Sequence, residues 1–162
     1  MIRRRVVFLL GCLLSLGLSP AQAAPPADPV LGTWTLNVEK STFTPGPGWR
    51  SQIRVYRAIP GGVLVTWTGV DAGGQGMQVS YAYQYDGRDY PMKGSASYDT
   101  LNAVPIGERT VRSEEKRDGK IVGIAVRTVS PDGKVLTITD QGTNRKGQTF
   151  SQVLVFDRTA AN

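Results

Sequence analysis

Glu115, Asp140, Ser113 and Gln152 carry most of the chemistry this chain can offer, and Tyr81, Tyr83, Tyr85, Tyr90 and Tyr98 carry much of the rest. Histidine is absent, and the single cysteine is Cys12. That removes the commonest general base, the Ser-His and Cys-His nucleophile pairs and the usual zinc ligands. Two routes remain. One is acid–base work by paired carboxyls, of the kind glycosidases perform. The other is recognition of a small molecule by hydrogen bonds and apolar contact. Carboxyl pairs meet by chance in many sheets, so binding stands ahead of catalysis, and no residue is assigned a catalytic role. Tyrosine presents an apolar ring with a polar tip. A row of them is either an aromatic core face or the wall of a ligand site, and both readings stand. Alternation puts Trp67 on the same face as Val63, Val65, Met77 and Val79.

The elements that must position these side chains read as strands. From Val30 onward apolar residues recur with period two, and Gly or Asp-Gly breaks interrupt them about every 8–12 residues. No 11-residue window carries an i, i+3, i+4, i+7 stripe. The spacing predicts about ten strands, near 31–38, 51–57, 63–70, 76–85, 88–93, 97–104, 109–117, 120–129, 134–141 and 148–157. The links are short and antiparallel. The expected fold is therefore all-β, an up-and-down meander that protects its edges best by closing into a barrel. A two-sheet sandwich is the alternative.

Four turns set registers. Asp86-Gly87 and Asp118-Gly119 read as two-residue turns of type I′, and Pro131-Asp132-Gly133 and Arg145-Lys146-Gly147 as three-residue loops ending in a left-handed glycine. The first puts Tyr83 opposite Tyr90 and Tyr81 opposite Met92. The second puts Val111 opposite Val126 and Glu115 opposite Val122. The third puts Val126 opposite Ile138 and Thr128 opposite Leu136. The fourth puts Ile138 opposite Leu154 and Leu136 opposite Phe156. All four keep the apolar set on one face. On that face Ser113 falls opposite Ile124, Ile124 opposite Asp140, and Asp140 opposite Gln152, with Glu115 nearer the Asp118-Gly119 turn. Buried carboxylates are costly unless paired or wet. The group is thus either the polar end of a pocket or a set of rim side chains reaching water. In the pocket reading the tyrosines cover an apolar body, and the carboxylates disfavour an anionic head group. A neutral or cationic amphiphile is expected.

Glycine-rich stretches add no further site. Asp71-Ala72-Gly73-Gly74-Gln75-Gly76 is followed by no helix and no Lys-Ser/Thr, so it is a hairpin loop and no phosphate cradle. Asp118-Gly119-Lys120 and Asp132-Gly133-Lys134 lack the ligand count of a calcium loop. No cofactor and no metal are expected.

The N-terminus decides where the domain works. Arg3, Arg4 and Arg5 precede an apolar run from Val6 to Leu18, and Ala21-Gln22-Ala23 is a small-x-small ending. This is the layout of a secretory signal peptide over 1–23, cleaved after Ala23. The run is short of the roughly 20 residues a membrane span needs. Leu9-Leu10-Gly11-Cys12 is similar to a lipoprotein lipobox. Using it would leave only about five apolar residues before the cut, against a usual 7–15, and strand Leu13–Leu18 on the product. The expectation is an exported protein, periplasmic or extracellular and without lipid. An extended Pro-rich leader follows at 24–29, then a barrel domain at 30–158 and a tail at 159–162. Removing the three arginines lowers the net charge from +6 to about +3, with basic residues scattered singly. Nucleic-acid binding has little support. About 139 residues suit one domain with a real core.

The first strand also carries a resemblance. Leu31-Gly32-Thr33-Trp34-Thr35-Leu36 holds a Gly-x-Trp that resembles the first strand of the calycins, the lipocalins and fatty-acid-binding proteins. The resemblance implies that Trp34, beside Gly32, plugs one barrel end and that Arg158 packs over it. The wider pattern is similar to a group of small exported bacterial lipocalin-like proteins. It spans Gly32 to Asn37, Lys40-Ser41, Phe43, Pro45-Gly46-Pro47, Tyr85-Asp86-Gly87 and Asp89-Tyr90-Pro91. The chain departs from fatty-acid-binding proteins in having no room for a helix pair between Glu39 and Arg50. It departs from typical lipocalins in lacking a cysteine pair and a C-terminal helix. The resemblance implies a barrel that binds a small hydrophobic or amphipathic molecule. A packed barrel acting on an envelope partner through its outer surface is the alternative.

Overall fold

A computed structural model describes residues 28–95 and 97–159. The expected signal peptide, residues 24–27 of the leader and residues 160–162 of the tail lie outside the described residues. Eleven strands occur: β1 (Gly32–Leu36), β2 (Thr42–Thr44), β3 (Ser51–Ile59), β4 (Gly62–Val70), β5 (Gly76–Gln84), β6 (Tyr90–Lys93), β7 (Thr100–Gly107), β8 (Thr110–Arg117), β9 (Lys120–Val129), β10 (Val135–Thr143) and β11 (Thr149–Arg158). No described helix is long and apolar enough to cross a membrane.

From β3 to β11 each strand pairs antiparallel with the next, and β1 pairs with both β3 and β11. Trp34 lies opposite Arg158 on one side and Arg54 on the other. That double pairing closes ten strands into a barrel and removes the sandwich. The short β2 is additional and adds to β11 at Ser151–Val153. Closure satisfies both edges of the meander, which would otherwise expose unpaired backbone groups.

Side chains alternate across each strand, so one set fills the barrel. The core comprises Val63 and Val65 of β4, Val79 and Tyr83 of β5, Leu101 and Ala103 of β7, Leu136 and Ile138 of β10, and Leu154 and Phe156 of β11. β3 runs with inverted polarity. Its inward residues are Gln52, Arg54 and Tyr56, while Ile53 is 45% exposed.

Two registers follow the turns as expected. Tyr81 lies opposite Met92, and Ile138 and Leu136 lie opposite Leu154 and Phe156. Two expectations on β9 are corrected. A β-bulge leaves Val122 unmatched, because Lys116 pairs with Ile121 while Glu115 pairs with Gly123. Val111 therefore faces Arg127, not Val126, and Ser113 faces Ala125, not Ile124. A one-residue slip turns a whole strand over. The Pro131 hairpin is also one residue longer than expected. Ser130 N bonds to Val135 O at 2.9 Å, so Ile138 pairs with Arg127 and Leu136 with Val129. Gly123, Ala125 and Arg127 face inward as a result, and Ile124 and Val126 face outward.

Space explains the choice. A Cβ on Gly123 would lie 2.7 Å from Glu115 Oε2. Valine or isoleucine there would displace the carboxyl. The third correction is at Asp86-Gly87. Residues 85–89 form an open bend, and Asp118 is the one described non-glycine residue at positive φ. Only Asp118-Gly119, at φ 51° and 72°, has the type I′ signature of two left-handed residues.

Candidate functional site

The barrel has a sealed end and an open one. At the sealed end Trp34 is fully buried, and its indole Nε1 donates to Val30 O at 2.7 Å. The Arg158 guanidinium lies 4.0 Å from the Trp34 ring centroid. It donates to Pro29 O, Leu31 O and Gly133 O at 2.7, 2.6 and 2.5 Å. Gly32 sits at φ 125°, and a Cβ there would lie 2.7 Å from Arg158 Nη1. Next to this plug Arg127 is buried between the Tyr56 and Tyr85 rings, 5.6 Å from each centroid. It hydrogen-bonds to the Tyr85 hydroxyl and meets Asp28 Oδ2 at 3.4 Å, and Tyr85 also donates to Asp28. The Asp28 carboxylate thereby neutralises a guanidinium inside the barrel.

At the other end the barrel opens into a cavity of about 440 Å³. The 37–50 connection crosses part of this mouth and contributes Phe43 and Trp49. Trp49 meets Trp67 edge to face at 5.5 Å. Tyr81, Met92 and Phe150 continue the apolar wall. The inward polar lining includes Gln52, Arg54, Glu115, Asp140 and Gln152, with Tyr98 beside Glu115. A second, small cavity of about 50 Å³ lies deeper and is lined by Tyr56, Tyr83, Ser113, Arg127 and others. Arg54, Tyr81, Glu115 and Asp140 line both and separate them.

The polar row expected from the registers is present by a different route. Ser113 faces Ala125, Ala125 faces Asp140, and Asp140 faces Gln152. The bulge and the longer Pro131 loop each move β9 by one residue, and the two shifts cancel across it. Gln152 Nε2 donates to Asp140 Oδ2 at 2.8 Å. Trp67, Tyr81, Glu115, Asp140 and Gln152 reach the mouth cavity, while Tyr83 and Ser113 lie in the deeper one. Tyr90 lines neither. Its ring packs on the core, and at the sealed-end rim its hydroxyl lies 3.0 Å from Asp86 Oδ2, to which it donates, and 3.2 Å from Gln84 Oε1. The five-residue 85–89 bend carries it there.

Arg54, Gln52, Arg127 and Trp49 were not singled out in the sequence. The 51–57 strand shows apolar Ile53 and Val55 alternating with polar Gln52 and Arg54, which points the wrong set inward. The signal that corrects it is a register: Trp34 is inward, so Arg54 opposite it is inward too. Arg54 lies between the Trp67 and Phe156 rings, 5.4 Å from each centroid, and donates to Gln52 Oε1 at 2.8 Å. No described carboxylate is in ion-pair contact with it.

Burial dominates the titration of the mouth. It raises the Glu115 carboxyl to about 8, and the charge of Asp140 adds to this, against the pull of Tyr98 and Arg54. Asp140 is also raised by burial, opposed by Gln152 and Arg54. Tyr98 is pushed well above its ordinary range by burial and by Glu115 and Asp140. Gln52 Nε2, Glu115 Oε2 and Asp140 Oδ1 are buried without a hydrogen-bond partner. Among the described residues no group of three or more acidic side chains gathers to hold a metal ion.

A closed antiparallel meander, plugged at one end by a first-strand tryptophan under a last-strand arginine and open at the other, is an up-and-down β-barrel with the end plug that the first-strand resemblance implied. No protein-family model matches the chain, and no curated protein matches it. Among solved structures it is similar to the zebrafish ileal bile acid-binding protein complexed with cholic acid, at 10% identity. That match covers 81% of this chain and 99% of the other, with a TM-score of 0.48. It is also similar to the siderocalin Ex-FABP, at 10% identity over 83% of this chain and 77% of the other, with a TM-score of 0.38.

Proposed function

We propose that this protein is exported and binds a small amphipathic molecule in the open end of its barrel. The observation that carries the reading is a combination. A cavity of about 440 Å³ has aromatic walls, and the buried Gln52 and Asp140 and the half-buried Glu115 each bring to it a buried polar atom without a partner. The volume falls within the roughly 300–1,000 Å³ of small-molecule sites. Buried polar atoms without partners are uncommon and costly, and a ligand's polar end would supply the missing hydrogen bonds, each worth about 0.5–1.5 kcal/mol net. Trp49, Trp67, Tyr81, Met92 and Phe150 would cover the apolar body. Export rests on the layout of Arg3–Arg5, Val6–Leu18 and Ala21-Gln22-Ala23, which places the mature N-terminus at Ala24.

The competing reading is a packed barrel that acts through its outer surface. It would leave no room for a guest. Native mass spectrometry of the purified protein, followed by titration with amphiphiles while following Trp49 and Trp67 fluorescence, separates the two. A carried-over or titratable occupant below about 100 μM supports the binding reading. Protein that arrives empty and responds to no amphiphile sinks it.

A further inference from the structure

The mouth holds an uneven set of charges. Arg54 on β3 is the one cation lining the mouth cavity among the described residues, and Glu115 on β8 and Asp140 on β10 are its two inward carboxyls. The remaining groups around the carboxyls are neutral or peripheral. Tyr81 on β5, Tyr98 in the 94–99 loop and Gln152 on β11 face them, and Arg117 acts on Tyr98 from the far side. Asp71 lines the mouth rim, on the hairpin between β4 and β5. Arg127 at the sealed end is neutralised by Asp28 and does not enter this count.

A low-dielectric site tolerates little net charge. One cation therefore keeps one carboxylate ionised, and the other carboxyl keeps its proton. Arg54 draws on both carboxyls, but Asp140 also receives the Gln152 amide at 2.8 Å, so it is the ionised member. Glu115, whose Oε2 lies against Gly123 without a hydrogen-bond partner, is the protonated one.

Resting on the binding reading above, we infer that the mouth site is selective for an uncharged, hydroxyl- or amide-bearing head group, because Arg54, Asp140 and Glu115 together hold a single proton and no net charge. Such a head finds an acceptor at Asp140 Oδ1 and donors at Gln52 Nε2 and the Glu115 carboxyl. A cationic head must expel the shared proton. An anionic head must bring a second proton in. Only a neutral head binds without moving one. This narrows the expectation from sequence, which admitted cations because Arg54 was not known to face the site.

Glu115 ionises at about 8, so the neutral state of the floor ends there. Above that pH the site holds one excess negative charge and loses a donor.

The test uses the mature protein and three probes sharing one chain: octyl glucoside, octyltrimethylammonium and octanoate, each below its micellar concentration. For wild type, octyl glucoside is expected to bind tightest at pH 7, with affinity falling about tenfold or more between pH 6.5 and 9.5. Calorimetry in buffers of different ionisation enthalpy should register no proton exchange for the glucoside, release for the ammonium and uptake for the carboxylate. Glu115→Gln should flatten the pH profile. Glu115→Gln with Asp140→Asn leaves Arg54 unbalanced and should make octanoate the preferred probe. Arg54→Gln should move preference toward the ammonium. Equal affinity for the three heads, a flat wild-type profile, or an unchanged preference in the double variant overturns the inference while leaving the binding reading intact. Failure of all three probes to bind, in a protein that carries no occupant, overturns both. A carbon-detected NMR titration of ligand-free protein checks the shared proton directly, and a Glu115 midpoint in the ordinary range of about 4–5 refutes it.

Discussion

Glu115→Gln should make the ligand-free protein more stable at alkaline pH and remove most of the pH dependence of wild type between pH 5 and 9. Glutamate in the unfolded chain ionises near 4.5, and in the fold Glu115 ionises at about 8. The folded state therefore holds the proton more tightly. Below 4.5 both states are protonated and nothing is lost. Between 4.5 and about 8 the unfolded state releases its proton first, and stability falls as pH rises. Above 8 the loss is complete. At about 1.4 kcal/mol per pH unit the full window amounts to about 4–5 kcal/mol. Water entering through the open mouth lowers this to about 2–4 kcal/mol. Glutamine keeps the shape and has no proton to lose. Urea denaturation of wild type and variant at pH 5, 7 and 9 measures the difference, with other titrations cancelling between the pair. With a slope of about 1–3 kcal/mol per molar urea, the two midpoints should diverge by about 1–2 M at pH 9 and converge at pH 5. Parallel pH profiles for the two proteins would refute the placement of Glu115 in a site poor in cations.

Trp34→Ala should cost about 3–5 kcal/mol, since it empties a fully buried site and unpairs Val30 O, and thermal or urea denaturation checks it. Gly32→Ala should lower stability by about 1–3 kcal/mol, because φ 125° suits no other residue and the new Cβ meets Arg158 Nη1. Asp28→Ala should cost about 3 kcal/mol or more by leaving Arg127 charged and unpaired inside the barrel, and Asp28→Asn should recover part of it, both by urea denaturation. Intact mass of the exported protein should give an N-terminus at Ala24 and no lipid. A diacylated chain beginning at Cys12 would refute that.

The strand pattern was legible because period two is a local property. Where an interior strand turns every second residue inward, as with Val63, Val65 and Trp67 on β4, the reading needs no tertiary information. The Arg145 hairpin likewise set its own register, and with it the pairing of Asp140 with Gln152. Trp34 and Arg158 were matched through the resemblance of the first strand to the calycins, and the fold brings them together. What the sequence could not decide was which face of an ambiguous strand turns inward. On β9 the apolar Val122, Ile124 and Val126 argued for one face. The fold chose the other, because Gly123 is the residue that leaves room for Glu115. On β3 the polar Gln52, Arg54 and Tyr56 went inside because the pairing with β1 sets Arg54 opposite the inward Trp34. Burying Arg54 is favourable only where carboxyls of β8 and β10 lie in the same interior, and those are about sixty and eighty-five residues away in the chain. Composition and spacing thus determined the strands and the meander, while the choice of a barrel over a sandwich needed the pairing of β1 with both β3 and β11. The charge of the site was decided by closure, since only closure brings distant strands to face one another.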